Sequence, residues 1–210
     1  MSNQKLIGVV VGLMLAVAIV MMVQTQRQPI TVGDSMVQGV GDAAVEQTGK
    51  LLGNHGRIVV VAAADCAMCE QTMKLRQIFG QSVRRAGKLT VVGTELVPLT
   101  DDSQLSLPGD VYARILESHP DVDAVVSLIG VPAMKADRVS KGNSRLVVVA
   151  SNGDHDQEIK RLMEARIVDL AIIPRTTRAP DAPANPKTPR EWFDFNYQVV
   201  TPETAAALTP

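Results

Sequence analysis

Beyond residue 56, short runs of uninterrupted apolar residues alternate with longer stretches in which apolar positions recur every three or four residues. Residues 58–63, IVVVAA, are the first such run. A block of β-branched and small apolar residues is how a strand covered on both faces reads. Residues 89–92 (resuming around Leu96), 122–128, 146–150 and 168–173 repeat the pattern. Between these runs the spacing predicts amphipathic helices over 70–86, 108–117, 131–139 and 156–165. Gly87 stands where the first should end, and Pro108 in the first turn of the second. An earlier helix is expected up to Leu52, capped by Asp34 or Ser35 and marked by Val37, Val40, Ala44, Val45, Thr48 and Leu51. Residues 29–32 and 193–201 read as extended segments, 100–107 as a polar loop, and the Pro- and Ala-rich 176–189 as another loop.

Five alternations of strand and helix, with each strand apolar throughout, predict an α/β fold: a three-layer parallel sheet with helices on both faces. Such sheets bind ligands at the carboxyl ends of their strands, where the strand order reverses. That rule selects the residues just after the strands as ligand-binding candidates. They are Ala64 and Asp65, Gly130, then Ser151, Asn152 and Asp154, and finally Arg175.

The amino-terminal pattern differs. Residues 6–23, LIGVVVGLMLAVAIVMMV, contain no charge and no Pro. As a helix rising about 1.5 Å per residue, this run nearly crosses a hydrocarbon core of about 30 Å. Ala16-Val17-Ala18 fits a signal-peptidase pattern, but five more apolar residues follow it, so an uncleaved transmembrane helix is expected. Residues 1–28 then form an anchor and linker, and 29–210 the folded lobe. Lys5 before the run favours the amino terminus inside, with the lobe outside the cytoplasmic membrane, in the periplasm.

Composition narrows the function. With 21 basic and 22 acidic residues and a net charge of -1, the chain has no electrostatic footprint for nucleic acid. Aromatic residues make up 3%, too few for a base-stacking surface. Cys66-Ala67-Met68-Cys69 follows a strand and opens a helix, where a helix amino terminus lowers a thiol pKa. A membrane-tethered thiol-disulfide oxidoreductase using Cys66 and Cys69 is the enzymatic alternative. Against it, Asp65 sets a negative charge beside the first thiol. Outside the cytoplasm the pair would instead close a local disulfide. His55, His119 and His155 are scattered through turns and loops, so no metal site is expected. Asp154-His155-Asp156 reads as a helix cap with Gln157. Asp121 and Asp123 fit a turn into a strand. No nucleotide, phosphate-loop or nucleophile-elbow pattern occurs, and neither a cofactor nor an enzyme is expected.

Four stretches in order carry a resemblance. They are VGDSMVQGVGDAAVEQTGKLLGNHGRIVVVAAA (32–64), ILESHPDVDAVVSLIG (115–130), RLVVVASNGDHDQEIKRLMEARIVDLAIIPR (145–175) and WFDFNYQVVTPETAAAL (192–208). Together they resemble the C-terminal lobe of the type I periplasmic-binding-protein superfamily, the sugar-binding branch in particular. The resemblance implies a single solute-binding-like lobe outside the cytoplasm, with a small polar solute as its ligand. The family often places Asn-Asp after its third strand, whose Asp hydrogen-bonds ligand hydroxyls. This chain has Gly130-Val131 there. Another Asp often follows the fourth strand, where this chain has Ser151-Asn152-Gly153 and a slightly late Asp154. The scaffold therefore carries over further than the sugar contacts do. A lone lobe leaves apolar surface that a second lobe would cover, so a second copy or another protein subunit is the expected partner.

Overall fold

The computed structural model describes residues 32–64, 70–98, 106–133, 143–149, 156–177 and 184–208. The chain divides into two compact units, Met1–Asp34 and Ser35–Pro210. The apolar run over 6–23 lies outside the described residues. Among those described, no helix is long and apolar enough to cross a membrane.

Helix α1 (Val32–Leu51) has Asp34 in its first turn and Lys50 in its last, which suits the helix dipole. It begins before the Asp34–Ser35 start read from the sequence, and Val32 is helical rather than extended. Left-handed Gly53 and Asn54 (φ 67° and 71°) turn the chain into β1 (Gly56–Ala63). Then follow α2 (Glu70–Ala86), β2 (Leu89–Val97), β3 (Leu107–Pro108), α3 (Gly109–Ser118), β4 (Ala124–Ser127) and β5 (Pro132–Ala133). The remaining elements are β6 (Arg145–Val149), α4 (Asp156–Glu164), β7 (Leu170–Pro174), α5 (Pro189–Asn196), β8 (Tyr197–Val200) and a 3₁₀ turn, Ala205–Ala207.

Six strands form the main sheet in the order β2-β1-β4-β6-β7-β8. The first five run parallel, as the apolar runs predict, but β8 pairs antiparallel with β7. β1 shows why the interior has two halves. Ile58, Val60 and Ala62 face one core, with Val40, Ala43 and Ala44 of α1, Phe79 of α2 and Phe193 of α5. Val59, Val61 and Ala63 face the other, with Tyr112 and Ile115 of α3 and Ile159 and Leu162 of α4. Successive side chains of a strand point to opposite faces, so only a strand apolar at every position can serve both layers.

Three expectations need correction. The extended segment placed at 193–201 is helical up to Asn196, because Thr188 caps the helix. The Thr188 side chain accepts from the Glu191 N–H, the Glu191 carboxylate accepts from the Thr188 N–H, and Pro189 fills the first turn. The helix expected from 131 does not begin there. Pro132 and Ala133 are extended and pair with Leu107 and Pro108, whose loop assignment therefore also fails at Leu107. β2 does not pause after Val92. It continues through an irregularity in register at Ile58/Val59, where Val92 is the extra residue.

The amino edge of the sheet is closed by one device used twice. Asp123, just ahead of β4, accepts from the Arg57 N–H of β1 at 2.7 Å. Asp169, just ahead of β7, accepts from the Leu146 N–H of β6 at 2.8 Å and from the Arg145 guanidinium at 2.9 Å. Each carboxylate satisfies a strand-opening amide that the ladder leaves without a partner. Ser144 adds a hydroxyl bond to the Val122 carbonyl at 2.9 Å. The turn-into-strand reading of Asp121 and Asp123 therefore holds, and Asp121 also offers its carbonyl to Arg57.

Candidate functional site

The strand order reverses between β1 and β4, since β2 lies on one side of β1 and every later strand of the main sheet on the other. The carboxyl ends of β1 and β4 thus mark the crevice that doubly wound sheets offer to ligands. Ala64 and Gly130 both stand there. The Ala64 N–H donates to the Val97 carbonyl at 2.8 Å, fixing the end of β1 against β2. The Leu128 N–H donates to the Val61 carbonyl at 2.8 Å, carrying β4 past its last paired residue.

Gly130 closes a tight turn. Its φ of 94° lies in the region that side chains disfavour. The buried Ser127 hydroxyl donates to the Gly130 carbonyl at 2.6 Å, spanning the turn. Leu128, Ile129 and Val131 are buried around it. The Val131 carbonyl accepts from the Leu107 N–H at 2.9 Å, which joins this turn to the small β3–β5 ladder. The described surface at the reversal is thus backbone and apolar, and its one hydroxyl is engaged.

Two arginines bring charge to this edge. Arg76, in the second turn of α2, donates through an Nη atom to the Ala63 carbonyl at 3.4 Å. It was absent from the candidates because it sits inside a helix, where the periodicity reads it only as a polar position. Arg175 follows the last residue of β7. Its backbone N–H donates to the Asn196 carbonyl at 2.7 Å, tying it to the end of α5. Its Nε is buried and has no hydrogen-bond partner. β7 lies three strands from β1. At about 4.8 Å per strand the two ends are roughly 14 Å apart.

Of the other sequence candidates, Asp65, Ser151, Asn152 and Asp154 lie outside the described residues, as do Cys66 and Cys69. His119 caps the end of α3, its N–H donating to Ile115. Among the described residues no group of His, Cys, Asp and Glu could hold a metal ion.

A depression between α1 and α2, near the amino edge, is lined by charge that is matched locally. Asp42 accepts from Ser82 and lies 3.8 Å from Arg85. Glu46 pairs with Lys50 and Arg190. The Lys50 hydrogen bond is the leading cause that holds the Glu46 carboxyl below the usual carboxylate range.

No family model matches the chain, and no curated protein does. Solved structures match in fold. An arabinose-binding protein from Geobacillus stearothermophilus superposes with a TM-score of 0.57 at 13% identity, over 83% of this chain and 63% of that one. The sugar-binding protein of a sugar ABC transporter from Bacillus halodurans gives 0.56 at 14%, over 82% and 64%. A solute-binding protein of an ABC transporter from Bacillus halodurans with bound myo-inositol gives 0.51 at 14%, over 84% and 60%. The chain spans about three fifths of the length of each. Its mainly parallel, two-sided sheet is the fold of the periplasmic sugar-binding proteins of ABC transporters, present over the share of their length that a partial lobe would occupy.

Proposed function

We propose that this is a membrane-anchored extracytoplasmic protein whose lobe works as a solute-binding or scaffold module, an accessory subunit acting through the carboxyl edge of its sheet. The carrying observation is the reversal of strand order between β1 and β4, with Ala64 and Gly130 at its carboxyl end. The apolar run over 6–23 supports the anchor, and the fold supports the periplasmic setting. A small polar solute is the ligand in this reading, since the fold neighbours include proteins described with D-arabinose, D-allose and myo-inositol. The lobe itself is not an enzyme in this reading, and it holds no cofactor or metal.

A second copy or another subunit covers part of this edge. Leu96, near the carboxyl end of the outer strand β2, is 49% exposed, and Val91 on the same strand is 39% exposed. Large apolar side chains on an edge strand invite a partner. Sedimentation of the detergent-solubilised protein tests this. A species of at least two chains, or one with a stoichiometric co-purifying subunit, is expected. A strict monomer with no companion sinks the partner half of the reading. Thermal unfolding with and without small polyols separates a binder from a pure scaffold, because only a binder gains stability from ligand. The oxidoreductase alternative through Cys66 and Cys69 draws no support from the fold neighbours, which are named as binding proteins.

A further inference from the structure

We infer that the solute recognised at the carboxyl edge carries a carboxylate, a sugar acid rather than a neutral sugar, and that Arg175 is the residue that selects it. The inference rests on the solute-binding reading above and narrows its ligand class.

Arg175 is singular among the described arginines. Arg57 reaches a carbonyl, Arg76 another, Arg85 lies 3.8 Å from Asp42, Arg145 meets Asp169, Arg161 meets Glu158, Arg190 meets Glu46 and Asp194, and Arg166 is also engaged. Arg84 and Arg114 are exposed, where water serves their donors. Arg175 is partly buried, and its Nε is sealed from solvent with no acceptor in reach. A buried charged donor left without a partner is destabilising, and folded proteins rarely keep one without a reason.

Its place in the fold supplies the reason. Arg175 directly follows β7, on the edge where doubly wound sheets take their ligands. The backbone bond to Asn196 fixes its Cα, so the side chain starts from a defined point. Bulk water does not reach the Nε–H, and a ligand seated at this edge would supply the acceptor it lacks. A neutral hydroxyl would fill one donor and add no counter-charge. A carboxylate fills the Nε and one Nη together, side by side, and supplies the counter-charge in the same contact.

The full chain in detergent is tested by thermal unfolding and titration calorimetry with D-glucuronate and D-gluconate, against D-glucose and L-arabinose. The acids are expected to raise the unfolding midpoint by several degrees at saturating concentration, and the neutral sugars to leave it nearly unchanged. Arg175→Gln should weaken acid binding by about tenfold or more, with Arg175→Lys in between because it keeps the charge and loses the fork. Arg175→Lys also serves if Arg175→Gln does not fold. Neutral sugars acting equally on the wild type and both variants would leave the solute-binding reading standing and overturn the acid preference. An acid response undiminished in both variants would overturn the role of Arg175. No response to either class would remove the solute-binding reading itself, and the acid preference with it.

Discussion

At the amino edge of the sheet, Asp123 and Asp169 each clasp the opening amide of a neighbouring strand, and Asp169 also holds the Arg145 guanidinium. At the carboxyl edge, the described turn around Gly130 is held by backbone bonds and a single hydroxyl, and Arg175 keeps a buried N–H without an acceptor. Among the described residues, the amino edge satisfies these amides and the carboxyl edge leaves one guanidinium N–H open. The two edges belong to the same strands, so the difference does not come from strand composition. It comes from what the chain puts before each strand and what it puts after. Carboxylates precede β4 and β7. A glycine turn follows β4, and an arginine follows β7. Among the described residues, the carboxylate clasps of this lobe stand at the edge opposite the one where such folds bind ligands.

The largest test of that division is Asp169→Ala. It removes a carboxylate that is only 11% exposed and accepts from both a backbone amide and a guanidinium. Hydrogen bonds to a charged group are worth about 1.5–3 kcal/mol, so a loss of about 2–3 kcal/mol in urea unfolding is expected. The thermal response to solute should survive in the folded fraction. A loss under about 0.5 kcal/mol would mean the clasp is ornamental and would break the contrast. Gly130→Ala comes next. Forcing a side chain to φ 94° should cost about 1–2 kcal/mol, and it distorts the turn at the carboxyl edge itself. Here the solute response should fall as well. If Gly130→Ala unfolds the protein no more easily and leaves the solute response intact, the turn is not part of the site.

Much of this was legible in the chain before any coordinates. The five apolar runs place β1, β2, β4, β6 and β7, and the rule on strand reversal then points to Ala64 and Gly130. β8 was not legible as antiparallel, because strand direction leaves no trace in a period-two pattern and depends on how the chain returns from α5. The Pro132–Ala133 pairing was hidden for a similar reason. Its partner, Leu107–Pro108, lies some two dozen residues earlier, and nothing local in either segment announces the other. The helix at Pro189 did carry a signal, since Thr188 and Glu191 have capping-box spacing. The preceding Pro and Ala residues obscured it by making the whole stretch read as loop. Arg175 was legible as a position after a strand. Its unpartnered Nε was not, because burial of a single nitrogen is set by tertiary packing.

Tyr112 offers the finest test, because it places the same kind of deficit inside the core. Its hydroxyl is fully buried in the core beneath α3 and has no hydrogen-bond partner, as the Arg175 Nε has none. Burial pushes the phenol pKa well above its usual value, and the charge of Asp169 pushes the same way. The native state therefore holds the proton above about pH 10, where the unfolded chain gives it up. The unfolded state then binds fewer protons, so stability falls as pH rises past about 10, by up to about 1.4 kcal/mol per pH unit from this one group. Tyr112→Phe removes the hydroxyl and keeps the ring. At neutral pH it should be neutral or stabilising by up to about 1 kcal/mol, since it deletes a buried group with no partner. Above pH 10 its margin over the wild type should widen with each step in pH, as read by urea unfolding from pH 7 to 11. Arg175→Gln should share the neutral-pH gain and none of the alkaline widening, because a guanidinium does not titrate there. Were Tyr112→Phe clearly destabilising at pH 7, its hydroxyl would have an acceptor in solution, and an unfilled donor in this lobe would no longer point to a ligand.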